Sequence, residues 1–162
     1  MKFKTLKKIG ACLAVLGLLG ILPAGPAEAA GPLSTGATVY VSIYSNIYSG
    51  PRGRPYQLGA MLSVRNTDLQ YPITVLSAIY YNTRGEVIRN YIAEPLELGP
   101  LASKDYYIKE KDKTGGTGAN FIVQWQSSRP VNQPIIEALM LGLTSGQGIS
   151  FICPGKIITC HE

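Results

Sequence analysis

Histidine is almost missing from the sequence, and its scarcity excludes much of ordinary catalytic chemistry. The one histidine, His161, is the second-last of 162 residues. Catalytic arrangements of the Ser-His-Asp or Cys-His kind require an ordered imidazole that a third group holds against the nucleophile. Because a residue in this position is a poor candidate for that role, the sequence argues against an enzyme of this type.

Metal-ligating residues are equally few. Cys153, Cys160, His161 and Glu162 lie near one another in the sequence, but their spacing matches no common structural zinc site. The Cys160-His161 pair also lacks the earlier cysteine of a haem attachment motif, because residue 157 is isoleucine. We therefore expect no metal and no cofactor.

The glycine-rich run Gly115-Gly116-Thr117-Gly118 has the composition of a phosphate-binding loop but not its context. A phosphate loop leads into a helix N-terminus, and the P-loop carries a lysine after the glycines. Here Ala119-Asn120 leads into an apolar strand. The run is therefore predicted to be a flexible hairpin loop rather than a backbone nest for an anion.

Two cysteines, Cys153 and Cys160, follow the N-terminal region, and the sequence leaves their state open. Cys153-Pro154-Gly155-Lys156 is typical of a turn. If the turn closes a regular hairpin, the two sulfurs are about 13 Å apart, whereas a disulfide requires Cα atoms within about 7 Å. Either the disulfide Cys153–Cys160 forms and the tail is a loop, which we favour, or the tail is a hairpin. In the second case the thiols stay free or pair between chains.

The first 29 residues have the three parts of a secretory signal peptide. Four lysines form a basic start, residues 9–22 are uncharged and mostly apolar, and Ala27-Glu28-Ala29 is a small-x-small cleavage site. The apolar stretch is too short to span a bilayer comfortably, so we expect cleavage rather than an uncleaved anchor. The predicted layout is a signal peptide over 1–29, a flexible segment over 30–37 and one domain over 38–162. The predicted location is the periplasm or the medium.

The domain that remains carries little net charge. The signal holds four of the 15 basic and one of the 10 acidic residues, which leaves 11 basic and nine acidic and lowers the formal charge from +5 to about +2. No basic stripe runs along the chain, so the domain is not predicted to bind nucleic acid.

Apolar and polar residues alternate with a period of two along most of the chain, which predicts β-strands. Val39, Val41 and Ile43 form one such face, and residues 73–81 are dense in Ile, Val and Tyr. With turn signals between the runs, the pattern predicts an all-β fold, an antiparallel immunoglobulin-like β-sandwich of about seven to nine strands. Residues 135–143 are the ambiguous segment, because their composition also suits a helix; we favour a strand.

Carboxylates offer the remaining route to an enzyme. Two carboxylates facing one cleft, about 5 to 10 Å apart, would serve a hydrolase of envelope polymers. Glu137 is the only charge in an apolar run; facing outward it is unremarkable, and facing inward it needs a partner such as Arg65 or Arg129. The candidates are Asp68, Glu86, Glu94, Glu97, Asp105, Glu110, Asp112 and Glu137.

Residues 44–56 join the first two predicted strands with a concentration of tyrosine and arginine. These residue types make strong contacts to carbohydrate, peptide or anionic groups, and loops on rigid β scaffolds often carry function. The alternative is that the tyrosines cover one end of the sandwich and the arginines are merely solvated. The predicted ligand-binding residues are Tyr48, Arg52, Arg54, Tyr56 and Asn120.

Five segments of the chain have a distinctive sequence: Tyr44–Gly50, Arg54–Tyr56, Leu62–Asp68, Gly115–Trp125 and Gly148–Phe151. They resemble a family of exported bacterial proteins known as domain of unknown function 3124. The resemblance covers roughly residues 38 to 153 and leaves out the tail with Cys160 and His161. No activity and no catalytic residues come with this family, so the resemblance carries no function over to this sequence.

The sequence therefore predicts an exported, non-enzymatic binding or interaction domain. Its partner is expected to be an envelope glycan or protein, and no membrane span is expected after signal cleavage. Two alternatives remain: a hydrolase of envelope polymers that uses paired carboxylates, and a structural envelope subunit that pairs through an exposed strand edge.

Overall fold

The computed structural model describes residues 31–144 and 147–161, and all of its regular structure is β-strand. The predicted signal peptide lies outside the described residues. The strands are β1 (Ser34–Ile43), β2 (Asn46–Ser49), β3 (Arg54–Gln57), β4 (Gly59–Arg65), β5 (Ile73–Tyr81), β6 (Val87–Asn90), β7 (Leu96–Leu98), β8 (Ser103–Ile108), β9 (Ala119–Val131), β10 (Ile135–Thr144), β11 (Gln147–Pro154) and β12 (Lys156–Cys160). Within these ranges no helix is long and apolar enough to cross a membrane.

Two antiparallel sheets form a β-sandwich. The larger sheet has the order β12-β1-β9-β5-β6, with β7 also paired to β5, and the smaller sheet has the order β11-β10-β4-β8. A separate hairpin is formed by β2 and β3. The described residues group as one compact unit, and a hydrophobic cluster among them contains buried side chains of both sheets.

The alternation of inward- and outward-facing side chains along each strand determines which residues form the core. In β9, Phe121, Val123 and Trp125 are at most 1% exposed, as the period of two predicts, while the residues between them face the other side. Full burial of a side chain such as Phe121 contributes about 1.5–3 kcal/mol. Phe121 also stacks on Tyr80 with ring centroids 5.1 Å apart. The strand β9 pairs with both β1 and β5, so it is the centre of the larger sheet.

The all-β, antiparallel prediction is confirmed, but the described residues contain twelve strands rather than seven to nine. The additional strands are short segments that the sequence pattern indicates to be loops. They are β2, β3, β7 and β12. Residues 135–144 are a strand, as favoured above. The helical alternative is wrong because this segment has ladder partners on both sides, β4 and β11, which a helix cannot provide.

Both ends of the folded unit differ from their predictions. The strand β1 begins at Ser34, so residues 34–37 of the predicted flexible segment belong to the sheet, and Ala37 is fully buried. At the other end, the tail is neither the favoured disulfide-closed loop nor the alternative hairpin, because Cys153-Pro154-Gly155-Lys156 joins two strands of different sheets. The strand β11 pairs with β10 in one sheet, and β12 pairs with β1 in the other. Gly155 makes the crossing between the sheets, where its N–H donates to the carbonyl of Ile136.

Candidate functional site

The segment rich in tyrosine and arginine is a hairpin rather than an irregular loop. The strands β2 and β3 pair Asn46 with Gln57 and Ser49 with Arg54. Gly50 and Gly53 have positive φ angles of 71° and 56°, and the N–H of Gly53 donates to the carbonyl of Gly50 at 3.1 Å. Glycine adopts this backbone conformation without steric cost, which explains why glycines bound the Pro51-Arg52 tip.

The pairing register divides the predicted binding residues between two faces of the hairpin. Directly opposed residues in an antiparallel pair point to the same side, and consecutive residues alternate. Tyr48 therefore shares a face with Pro55, whereas Arg54 shares the other face with Tyr56. Tyr48 is 68% exposed, but Tyr56 is half-buried and packs against the core cluster. The predicted binding residues of this segment therefore do not all share one face.

Two arginines line a cavity at the hairpin tip. Ser49, Gly50, Pro51, Arg52 and Arg54 enclose about 350 Å³. Both arginine residues are exposed, and the one salt bridge among the described residues, Arg84–Glu86, lies elsewhere. No acidic residue occurs in the sequence between positions 28 and 68. The tip therefore presents positive charge that its own neighbourhood does not neutralise.

Aromatic and glycine contacts hold the base of the hairpin on the smaller sheet. The ring of Tyr44 packs edge-on against Phe151 of β11, with centroids 5.9 Å apart. A Cβ at Gly142 of β10 would lie 2.5 Å from Cε1 of Tyr56 and 2.6 Å from Cδ2 of Leu58. Because that space is occupied, glycine is required at position 142 for Tyr56 to pack where it does.

Ser45 connects the hairpin to the loop before β9. Ser45 is 2% exposed, its N–H donates to the carbonyl of Gly116 at 2.9 Å, and its hydroxyl lies 3.4 Å from the hydroxyl of Tyr80. Burial raises the pKa of Tyr80, so this phenol remains neutral. A Cβ at Gly115 would overlap the Tyr80 hydroxyl, which explains the glycine there.

Hydrogen bonds to Thr83 also fix the glycine-rich run, which was predicted to be a flexible hairpin loop. The N–H of Thr83 donates to the carbonyl of Gly115, and its hydroxyl accepts from the N–H of Gly118. The run is therefore part of the scaffold that supports the hairpin.

Asn120, the remaining predicted binding residue, lies outside the hairpin cavity. It is half-buried in β9, where it pairs with Ser42 of β1 and Tyr81 of β5. Its backbone position is therefore within the larger sheet, and it is not among the residues that line the cavity at the tip.

Sequence reasoning missed a buried polar network around Asn66 and Asp68, at the opposite end of the sandwich. Asn66 is 2% exposed, and its Nδ2 donates to the carbonyls of Tyr71, Leu98 and Gly99 at 2.9–3.1 Å. Its Oδ1 accepts from the N–H of Asp68. One side chain therefore satisfies four backbone groups, which is the role of a fold determinant.

Asp68 extends this Asn66/Asp68 network. Its carboxylate accepts from the N–H groups of Gln70, Tyr71 and Asn132 at 2.9–3.0 Å. These donors, with Gln70 first, lower the pKa of Asp68 below its usual value. An Asn or Asp followed by donors two or three residues on is the signal that turn chemistry provides, but the donor from Asn132 has no such signal in the sequence.

The other acidic residues do not gather into a metal site. Among the described residues no group of three His, Cys, Asp or Glu side chains is placed to hold a metal ion. Glu137 faces outward, because its neighbours Ile136 and Ala138 are buried. It opposes Ser63 of β4, which in turn opposes Asp105 of β8. The two carboxylates therefore share one sheet face, two strand spacings or about 10 Å apart at Cα.

Both cysteines of the domain are free thiols in the structure, so the favoured disulfide is absent. Cys153 is buried in β11 opposite Ala138, and Cys160 is exposed in β12 opposite Ala37. The strands belong to different sheets, and β12 runs extended away from the crossing, which separates the sulfurs. Burial raises the pKa of the Cys153 thiol.

Comparison with known proteins gives a matching family and a similar solved structure. The family model described as protein of unknown function (DUF3124) matches residues 36–158. The crystal structure of Thermotoga maritima 1070 is similar with a TM-score of 0.46 at 13% sequence identity, over 77% of this chain and 97% of that one. No curated protein matches the sequence significantly.

Proposed function

We propose, on the premise that this chain belongs to the DUF3124 family of proteins of unknown function, that it is an exported, non-enzymatic binding domain. Its ligand is an anionic group, a carboxylate or a phosphate, carried by an envelope polymer or protein. The ligand binds at the tip of the β2–β3 hairpin. Arg52 and Arg54 supply the charge there. Tyr48, which precedes the cavity-lining Ser49 in the chain, supplies an exposed ring on the other face of the same hairpin.

The observation that carries this proposal is the uncompensated pair of guanidinium groups around one cavity. Neither arginine has an acidic partner among the described residues. A guanidinium presents several N–H donors in a planar fork that matches carboxylate and phosphate oxygens. Buried contacts hold the backbone of the hairpin in place, so binding has to order the two arginine side chains but not the backbone, which favours affinity.

The sequence supports export. A basic start, an apolar stretch and a small-x-small site precede the domain, in the order that signal peptidase recognises. Among the described residues the ring of the one histidine, His161, bonds to the Thr38 hydroxyl and has no carboxylate partner. The third group that orients the imidazole of a catalytic triad is therefore missing, and a binding role fits the domain better than acyl transfer.

The experiment measures binding of protein expressed from the full chain to poly-L-glutamate, polyphosphate and neutral dextran. We expect binding to one or both anionic polymers, weakened by salt, and none to dextran. The variant Arg52→Ala/Arg54→Ala should lose about tenfold or more in affinity, since a charge-assisted hydrogen bond is worth about 1.5–3 kcal/mol.

Arg89→Ala/Arg129→Ala is the matched control. It removes the same two charges, but Arg89 and Arg129 lie over the rings of Tyr91 and Tyr71 and do not line the cavity at the hairpin tip. If both variants weaken binding equally, net charge alone is responsible and the hairpin assignment is wrong. Preference between the two anionic polymers distinguishes a carboxylate from a phosphate ligand.

A carboxylate hydrolase remains the second candidate because Glu137 and Asp105 share one face across Ser63. Their spacing of about 10 Å at Cα is compatible with an inverting glycosidase pair. Release of reducing ends from envelope polysaccharide, abolished in Glu137→Gln, would support it. Full binding without any release would reject it.

We also propose an immunoglobulin-like relationship for the sandwich. Two packed antiparallel sheets and the buried Trp125 support it. Comparison of the strand connections in an experimental structure with those of immunoglobulin domains would test it.

A further inference from the structure

The outer face of the smaller sheet exposes an unusual amount of apolar surface. In β4 and β10, Leu62, Val64, Ala138 and Met140 are buried, so the alternate side chains face away from the core. Exposed large hydrophobic residues on this outer face are Tyr107 (59%), Ile135 (47%), Leu141 (40%), Leu143 (81%) and Ile152 (57%).

The strand register arranges these side chains in rows. Ile152, Leu139, Met61 and Tyr107 oppose one another in turn across β11, β10, β4 and β8. Leu141 lies in the next row, beside Ser150 and Gly59. Scattered apolar residues on a surface are ordinary, but a contiguous apolar patch marks an interaction site.

The size of the face suits a protein partner. Four strands span about 19 Å, and eight residues of strand about 26 Å, so the face covers about 500 Å² before side-chain relief is counted. Stable interfaces bury about 800 Å² per partner. The face approaches that size, whereas one strand edge is much smaller.

Charged side chains beside the apolar rows indicate what kind of partner binds this face. Arg65 donates from Nε to the hydroxyl of Ser63 at 3.0 Å, so its guanidinium lies in the row that contains Glu137 and Asp105. A partner must therefore present both signs of charge at matching places. The face itself does so.

We propose that this face binds the same face of a second copy of the chain. The two-fold axis runs parallel to the strands, between β4 and β10. This symmetry exchanges β4 with β10 and β8 with β11, so residue i contacts j and j contacts i. Leu139 then lies over Met61 of the second copy, and Ile152 over its Tyr107.

The same axis places Glu137 of each copy over the Ser63–Arg65 pair of the other. Two intermolecular Glu137–Arg65 ion pairs follow by symmetry, and the apolar rows lie beside them. Aligned sheet packing, with the strands about 30° from parallel, accommodates this contact. The hairpin tip lies outside the rows that the axis brings together, so the dimer and the anion site are separate proposals.

The experiment measures mass by analytical ultracentrifugation of protein expressed from the full chain, up to about 1 mM. We expect a dimer that Leu141→Lys converts to a monomer. The melting temperature of the variant should equal that of the native protein at a dilution where both are monomeric, since dimerisation itself stabilises the folded state. Leu69→Lys is the matched control, since Leu69 is 72% exposed but lies outside the face; it should leave the dimer intact.

Charge reversal tests the position of the two-fold axis, because the axis determines that Glu137 of one copy faces Arg65 of the other. Arg65→Glu and Glu137→Arg should each weaken the dimer about tenfold or more, a change of about 1.4 kcal/mol, and the double variant should restore it. A monomer at every concentration, a dimer that survives Leu141→Lys, or a double variant that stays monomeric would overturn the proposal. Binding of the monomer to phospholipid vesicles through this face would also overturn it, in favour of a membrane surface.

Discussion

At one end of the sandwich the Asn66/Asp68 network turns side-chain oxygens and nitrogens inward to satisfy backbone groups, whereas at the other end the β2–β3 hairpin turns arginines outward. Asn66 and Asp68 are 2% and 6% exposed. Arg52 and Arg54 are exposed and line an open cavity. The first end uses its polar groups for folding, and the second leaves them available for a ligand.

Both ends contain segments that carry the family resemblance. The resemblance therefore includes residues that stabilise the fold as well as residues that are available to bind a ligand. Leu62–Asp68 is accounted for by core packing and hydrogen bonds. In Tyr44–Tyr56, contacts with the scaffold account for Tyr44, Ser45 and Tyr56. Tyr48 and the two arginines have no comparable structural role, which is why function is assigned to them.

The largest expected effect comes from Asn66→Ala. The change removes the partners of three carbonyls and one N–H, and each buried unsatisfied group costs about 1–3 kcal/mol. We expect a loss of about 3 kcal/mol or more in the free energy of unfolding, measured by urea denaturation. Asn90→Ala is the control, because Asn90 is exposed and accepts one hydrogen bond, from the N–H of Ile92. Similar losses in both variants would contradict the distinction between the two ends.

Two tyrosines of the hairpin should differ in the same assay. Tyr56→Ala removes a half-buried ring that packs on Gly142, and we expect a loss of about 1–3 kcal/mol. Tyr48→Ala removes a ring that is 68% exposed and should cost less than about 0.5 kcal/mol. Tyr48→Ala should instead weaken binding to the anionic polymer. The reverse order of stability would mean that the faces of the hairpin are assigned the wrong way round.

Acid should weaken the Asn66/Asp68 end before the hairpin end. Because backbone donors lower the pKa of Asp68 in the folded state, the unfolded chain binds its proton more readily. The stabilisation is therefore complete above the usual value of 3.8 and is lost as the pH falls below it. Thermal denaturation from pH 7 to pH 2 should show Asp68→Asn less stable than the native protein at neutral pH, with the gap closing in acid.

Glu86→Gln is the control for this pH series. Hydrogen bonds from Arg84 and then Asn82 lower the pKa of Glu86, but the Arg84–Glu86 pair is largely exposed. Exposed pairs contribute little to stability, so Glu86→Gln should leave the curve nearly unchanged. If its effect matched that of Asp68→Asn, the acid response would not belong to the buried network.

The smallest expected effect concerns the thiols. Since Cys153 and Cys160 are free, a reductant should leave the melting temperature unchanged. A thiol-alkylating reagent should label exposed Cys160 well before buried Cys153, as peptide mass spectrometry would show. A disulfide would contribute about 2–3 kcal/mol, so a clear drop in melting temperature on reduction would contradict the free-thiol state.

Period-two alternation was sufficient to predict the long strands. Residues 73–81 match β5 along their whole length, because both the pattern and the turn after Tyr81 lie within one short segment. Residues 135–143 are favoured as a strand for a different reason, that a sandwich of this length needs a closing strand there, although composition alone allows a helix; the strand spans Ile135–Thr144. Local sequence determines these elements because their inner faces require apolar residues in strict alternation.

Long-range pairings could not be predicted in this way. The sequence of β12 gives no indication that it pairs with β1. Likewise, no residue near Asn66 in the sequence indicates that its side-chain amide reaches the carbonyls of Leu98 and Gly99. The candidate site was half predicted: Tyr48, Arg52 and Arg54 are exposed on one hairpin, but Tyr56 is packed inward and Asn120 lies in β9. Exposure depends on which face of a strand meets the core. In the hairpin, the pairing of the four residues of β2 with the four residues of β3 determines which side chains face the core.

The pairing of β1 with β12 also sets the order in which the chain can fold. Thr38 bonds to the ring of His161, 123 residues away, so the first strand of the domain has no outer neighbour until the last strand arrives. Contacts of such separation form late and slowly. A chain that is threaded through a membrane from its N-terminus would therefore keep its larger sheet open during transit and close it on the far side.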